Sequence, residues 1–387
     1  MPVFPVRFPV LGIAASLVLA VAARAAAAPP TPDEAAQAYV QGRLALASEA
    51  FDVAADRFGL AMRAGADDGL KRRALDVALI SGDTRAAVAL ANRIALPESS
   101  EPGRAVGDSL VALTRAIGAA AARDWRAYEA ARLAFSAPGR SGSGGQLLGT
   151  LLEAYGRAGR GDMDGALALL DAGTAAGIAA SYRAEHRAHL LAMAKRWPEA
   201  AEAYAAIVAA EGATVSRLRL AAAAAALEAG AKDPAWRARG IATLGDGPER
   251  DPMLVDARAR LAADPGMSGR ALGGLPTRPQ QGLALMLLRV ATDLARERAT
   301  APAVSFARLA THVDPDLPDG WLVVSDMLAR AGRPGLALDA LQAVPGKRPW
   351  AELADARRAS LLAASGDHEA AANVARRMAE RPDAGPE

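Results

Sequence analysis

From Thr31 onward, apolar residues recur at i, i+3, i+4 and i+7, and small breakers cut the pattern into short helical rods. The breakers are Gly65, Ser81-Gly82-Asp83, Gly159-Arg160-Gly161-Asp162, Gly230, Gly332 and Gly366-Asp367. Alanine, leucine and arginine, all strong helix formers, dominate between them, and strand signals are scarce. Punctuation this regular calls for a repeat. Leu287, Trp321 and Asp355 follow one another at 34 residues, and in that register Ala291, Ser325 and Ala359 align, as do Leu294, Leu328 and Leu362. Further on come Ala303, Ala337 and Ala371, then Ala307, Leu341 and Ala375, then Ala310, Val344 and Met378. Pro315 and Pro349 close two units, and Pro382 lies within one residue of the third closure. Small residues suit the crossing of two paired helices, large apolar ones fill the space between pairs, and proline ends the second helix.

The stretch from Trp321 to Pro349, WLVVSDMLARAGRPGLALDALQAVPGKRP, resembles the tetratricopeptide repeat, a helix–turn–helix unit of 34 residues. Ser325 stands for the usual glycine and Leu328 for the usual tyrosine. Gly42, Ala54, Phe58 and Ala61 fit an earlier unit, and Leu70, Ala74, Ala86 and Leu90 the next. Tyr182 to Ala210, with RWPEAAEAY from Arg196, fits another, whereas 105–137, 146–173 and 214–244 read as degenerate pairs. The expected fold is therefore an all-α solenoid of tetratricopeptide-like helix–turn–helix repeats. Its parts are an N-terminal array over 33–244, a linker with one short helix over 245–282, a C-terminal array of three repeats over 283–383 and a tail, 384–387. Within 245–282 the short helix is expected near Met253 to Ala263, and the rest would let the two arrays move as separate bodies.

Residues 1–25 read as a secretory signal peptide: Arg7, the apolar stretch Phe8 to Ala23, then A-x-A sites after which cleavage falls, at Ala25 or Ala27. An uncleaved membrane anchor is the alternative reading. No later segment has eighteen uninterrupted apolar residues. The product is expected to be periplasmic, with no stable membrane span after cleavage.

Composition removes several classes of function. The absence of cysteine excludes disulfides, thiolate metal sites and cysteine nucleophiles. The formal charge of +2 suggests a polyanion partner, but Arg7 and Arg24 belong to the signal segment, which leaves 43 basic against 43 acidic residues. Aromatic residues for stacking bases are only 4% of the chain, so nucleic acid is not expected as a partner.

Each short motif has a plainer explanation. Gly107-Asp108-Ser109-Leu110 spells the nucleophile block of the GDSL hydrolases, but it has no preceding strand and no companion G-x-N-D or D-x-x-H motif. Asp108 or Ser109 is expected to be a helix N-cap. Glu185-His186-x-x-His189 puts two imidazoles on one helix face without a third ligand, so a solvated face with a partly buried histidine is expected, and no metal. Asp162-Met163-Asp164-Gly165 lacks the twelfth-position glutamate of a calcium loop and reads as a capped turn. Gly142-Ser143-Gly144-Gly145 reads as linker. The pairs Arg72-Arg73, Arg357-Arg358 and Arg376-Arg377 read as solvated faces with i, i+4 partners.

With no catalytic set and no cofactor site, the expected function is a non-enzymatic scaffold or adaptor serving envelope assembly, polysaccharide export or secretion. The alternative is an exported hydrolase using Ser109 or the His186/His189 pair. The repeat resemblance implies a concave groove, lined by first-helix residues, that binds a peptide or partner protein of the cell envelope. Its columns fall on Leu288, Thr292 and Arg296, on Leu322, Asp326 and Arg330, on Ser360, and in the first repeat on Tyr39 and Arg43.

Overall fold

In the computed structural model, residues 30–380 are described except 49, 66, 100–103, 140–142, 173–175, 212–215 and 246–250. The expected signal segment, residues 1–25, and the tail 384–387 lie outside them. Among the described residues all regular structure is helical. The first array pairs α1 (Pro32–Ala47) with α2 (Phe51–Arg63), α3 (Asp68–Ser81) with α4 (Thr84–Ala91), and α5 (Ala105–Ala121) with α6 (Trp125–Phe135). It continues with α7 (Ser143–Gly159) and α8 (Met163–Asp171), α9 (Gly177–Met193) and α10 (Trp197–Glu211), then α11 (Ser216–Ala229) and α12 (Pro234–Leu244). Two short helices follow, α13 (Pro252–Ala263) and α14 (Gly269–Leu272). The C-terminal pairs are α15 (Pro279–Arg296) with α16 (Thr300–Val313), α17 (Pro318–Arg330) with α18 (Pro334–Gln342), and α19 (Trp350–Ala364) with α20 (His368–Ala379). The degenerate pairs thus keep the helix–turn–helix unit.

One local device recurs at the hairpin turns. A residue with positive φ reverses the chain at Gly82, Arg123, Gly161, Lys195, Arg298, Gly332 and Gly366. The next residue is an aspartate at four of them. Asp83, Asp124, Asp162 and Asp367 each cap the second helix by accepting from the backbone N–H three residues on. The predicted capped turn at Asp162 is one of these. Arg298, Gly332 and Gly366 keep the 34-residue spacing, so the turn preserves the register even where arginine replaces glycine. The segment from Ser143 is helical rather than linker.

Small-residue columns are buried where paired helices cross: Ala291, Ala303, Ala307 and Ala337 have no exposed surface. Helix α11 is apolar on every side from Leu220 to Leu227, and α10, α12, α13 and α14 all pack on it. The expected short helix near Met253 is α13.

The arrays do not sit apart. Helix α15 packs against α7 and α9, and α16 against α3, α4 and α5, so the first helices α3, α5, α7 and α9 of the N-terminal array are covered by the first hairpin of the C-terminal one. Leu283, Met286 and Leu287 share one core with Leu151, Leu152 and Leu191. At the closest approach a Cβ on Gly282 would lie 2.1 Å from the Tyr155 ring, which leaves room for hydrogen only. Gly282→Ala is therefore expected to cost about 1–3 kcal/mol by overpacking. Gly59→Ala, whose Cβ would meet nothing within 4 Å, is the control. Urea midpoints check this, and an unchanged midpoint for Gly282→Ala would mean that α15 does not pack on α7 in solution.

Candidate functional site

The seam between the arrays is polar, and it closes over the Glu185-His186-x-x-His189 helix. Both imidazoles are fully buried, which corrects the expectation of a solvated face. His186 Nδ1 lies 2.7 Å from the Tyr155 hydroxyl and His189 Nδ1 2.7 Å from that of Tyr204. The rings stand 5.4 Å apart, and neither Nε2 has a hydrogen-bond partner, although His189 Nε2 is 3.4 Å from Glu185 Oε1. Desolvation pushes both histidines below the ordinary imidazole pKa, His186 well below, against the opposing pull of Glu185.

Glu185 is the centre of charge. Arg217 of α11 donates to its Oε1 at 2.8 Å, and Arg289 of α15 donates to Oε2. Burial raises the Glu185 pKa, but Arg217 and His189 outweigh it and the carboxyl is held well below its usual range. Arg289 also lies 4.0 Å over the Tyr182 ring, whose hydroxyl donates to Asp293 at 2.7 Å. Two more polar contacts fasten the hairpin. Gln280 Nε2 donates to the Ala120 carbonyl at 3.2 Å, and His312 Nδ1 lies 2.9 Å from Thr84 Oγ1. Arg308 is buried beside Gly82 and donates to the Ile80 carbonyl, and burial lowers its pKa to about 10.

This arrangement fastens two arrays. Among the described residues no group of three or more His, Asp or Glu side chains is placed to hold a metal. The sequence did carry a signal for the seam: Tyr182, His186 and His189 stand at i, i+4 and i+7, the spacing of an inward stripe.

The GDSL residues lie within α5. Arg104, not Asp108 or Ser109, occupies the N-cap position, which corrects the capping assignment. Asp108 is fully buried and accepts from Arg72 of α3, while Ser109 Oγ donates 2.8 Å to the Ala105 carbonyl. The arginine pairs are also corrected in part, because Arg72 and Arg357 pair across helices rather than along one face.

The groove columns divide by exposure. Leu288 and Leu322 are 6% and 4% exposed and pack inside the chain, because the solenoid turns these first-helix positions toward neighbouring helices. Neither presents its side chain to a partner. Thr292 is half-buried, its hydroxyl on the Leu288 carbonyl at 2.9 Å. Arg296 is 75% exposed beside Asp293, and Asp326 is held by both Nε and Nη2 of Arg357 at 2.9 and 3.2 Å. Arg330 and Ser360 are exposed. In the first repeat, the Tyr39 ring packs at a tilt of 46° on that of Phe58 with Arg73 over it, and Arg43 is exposed. Tyr39 and Arg43 lie on α1, apart from the C-terminal columns on α15, α17 and α19.

No protein-family model matches the chain, and no curated protein matches it. Among solved structures, the chain is similar to one described as the structure of Naa15/Naa10 bound to HypK-THB, with 16% identity and a TM-score of 0.32. That similarity covers 87% of this chain and 57% of the other, so this chain spans little more than half its length. A second is described as the tetratricopeptide domain of P58(IPK), with 13% identity and a TM-score of 0.24 over 90% of this chain and 94% of that one. The fold assignment rests on the paired helices and their recurrent turns: an all-α solenoid of tetratricopeptide-like hairpins, the first of its C-terminal array seated on the first helices of its N-terminal array.

Proposed function

We propose that this chain is a non-enzymatic scaffold of the bacterial periplasm that holds a peptide or partner protein for envelope assembly, polysaccharide export or secretion. The supporting observation is that three consecutive first helices each keep a groove-column residue exposed: Arg296 and Arg330 in one column, and Ser360 in the column of Thr292 and Asp326. Across α3, α5, α7 and α9 the equivalent wall of the N-terminal array is taken up by α15 and α16. Thr292 and Asp326 stand one helical turn before Arg296 and Arg330, and Tyr39 and Arg43 form a separate surface at the other end of the chain. Arginine next to a paired carboxylate favours a polar peptide over a lipid. No helix among the described residues is long and apolar enough to cross a membrane. Export rests on the leader pattern of residues 1–25.

One experiment tests location and surface together. The full chain, tagged at its C terminus, is expressed in a Gram-negative host and recovered by osmotic shock. Expected are a mature N terminus at Ala26 or Ala28, a saturable protein partner, and about tenfold weaker capture by the double variant Arg296→Glu, Arg330→Glu at unchanged melting temperature. Retention of the leader in the membrane fraction removes the periplasmic reading. Equal capture by the double variant removes the surface.

A further inference from the structure

A cavity of about 320 Å³ lies where the non-repeat insert meets the C-terminal array. Helix α11 contributes Arg217 and Leu220, α13 contributes Met253, the chain after α14 contributes Gly274 and Leu275, and α17 and α19 contribute Asp319 and Trp350. The repeat alone does not build this space. Gly274, at φ +85, lets the chain pass against α11, since a Cβ there would lie 2.9 Å from Leu220 Cγ.

Two polar groups on the cavity wall are left incomplete by the protein. Arg217 spends Nη2 on Glu185, but its Nη1 is buried with no hydrogen-bond partner. The Asp319 carboxyl is half-buried and accepts from its own backbone N–H. Burial raises its pKa, and the field of Arg217 opposes the rise without forming an ion pair. A guanidinium N–H and a carboxylate therefore face one small space with a gap between them. Beyond these two, the lining carries Gln281 and the ion-paired Asp256, Arg260, Asp316 and Arg348, and is otherwise without polar side chains, with one tryptophan.

We infer that this cavity binds a small zwitterion with an apolar side chain, an α-amino acid or a dipeptide, its carboxylate on Arg217 Nη1 and its ammonium on Asp319. An anion alone would meet the Asp319 carboxylate as a like charge, and a cation alone would meet Arg217 in the same way. A hydrocarbon would leave both polar groups unpaired, at a desolvation cost. A zwitterion completes both, and its side chain removes Leu220, Met253, Leu275 and Trp350 from water. The volume is at the small end of ligand pockets, which run from about 300 to 1,000 Å³ and hold one or two residues at that end. The site is independent of the Arg296–Arg330 row.

Calorimetric titration of the full chain with L-leucine and L-leucyl-L-leucine near neutral pH tests the assignment. Expected is one saturable site for at least one of them, about tenfold weaker binding of N-acetyl-L-leucine and L-leucinamide, each of which lacks one charge, and a similar loss in Asp319→Asn. The Trp350 fluorescence should change on binding and cease to do so in Trp350→Phe. Asp319→Asn removes a desolvated charge that forms no ion pair among the described residues, so its melting temperature is expected to equal or exceed that of the wild type. Should it fail to fold, Met253→Trp, which fills the space, must abolish binding instead. No saturation by either probe up to about 10 mM would mean that the space holds only water and would overturn the proposal. Equal binding of the capped compounds, or undiminished binding by whichever variant folds, would overturn it as well.

Discussion

Glu185→Ala is expected to lower the unfolding free energy by about 3–5 kcal/mol, the largest effect of any single substitution discussed for this chain. The side chain is buried and accepts from two guanidiniums on different helices, Arg217 and Arg289. Its removal takes from both cations, which have little solvent, the carboxylate they share at the seam between the arrays. Desolvation makes that state far more costly than the ion pair was favourable. Glu185→Gln keeps the shape and loses the charge, and should lie between wild type and alanine. Urea titrations of the three proteins read the series. A loss under about 1 kcal/mol for Glu185→Ala would place the arginines in water and the seam open.

The second large effect is acid sensitivity. His186 and His189 are buried as neutral imidazoles with pKa values pushed down by desolvation. The unfolded chain therefore takes up protons at a pH where the folded chain does not. Their contribution to stability is complete above the unfolded value of about 6.5 and is lost as pH falls from there toward the folded values. Two protons bring a slope of up to about 2.7 kcal/mol per pH unit. Glu185, held well below its usual range, stays ionised across this window. Asp76, raised to about 6 by burial, acts in the opposite sense, as do the raised carboxyls of Asp314 and Asp319. The measurement is accordingly a difference, wild type against His186→Gln, His189→Gln, in urea midpoints from about pH 7.5 to about pH 5. The wild type should lose stability faster over the acid half. Parallel curves would mean that the imidazoles reach solvent in the folded chain. Proton NMR supplies a second reading, because both ring signals should stay unmoved while a solvated histidine titrates.

Much of the fold was legible in residues 283–383. Columns at 34-residue spacing put alanine where helices cross and proline where the second helix ends, and both are consequences of local sterics. Gly332 and Gly366 marked two of the turns in advance. The equivalent positions Arg123, Lys195 and Arg298 did not, because a long side chain at positive φ carries no sequence signature. The candidate site was harder still. Leu288 and Leu322 occupy groove columns but pack inward, and a residue's column does not say which neighbour covers it.

The sequence by itself determined the helix-pair architecture, the short helix α13 inside the insert and the turn caps, since these depend on interactions within a few residues. Tertiary structure alone decided that the second array closes on the first. The contacts responsible join residues 104 to 228 positions apart, as in Arg289 with Glu185 and His312 with Thr84. A lone arginine, histidine or glutamine on a helix reads as solvent-facing. Only when the chain returns does each meet a partner that makes its burial tolerable, and the same return brings Arg217 and Asp319 to the wall of one cavity.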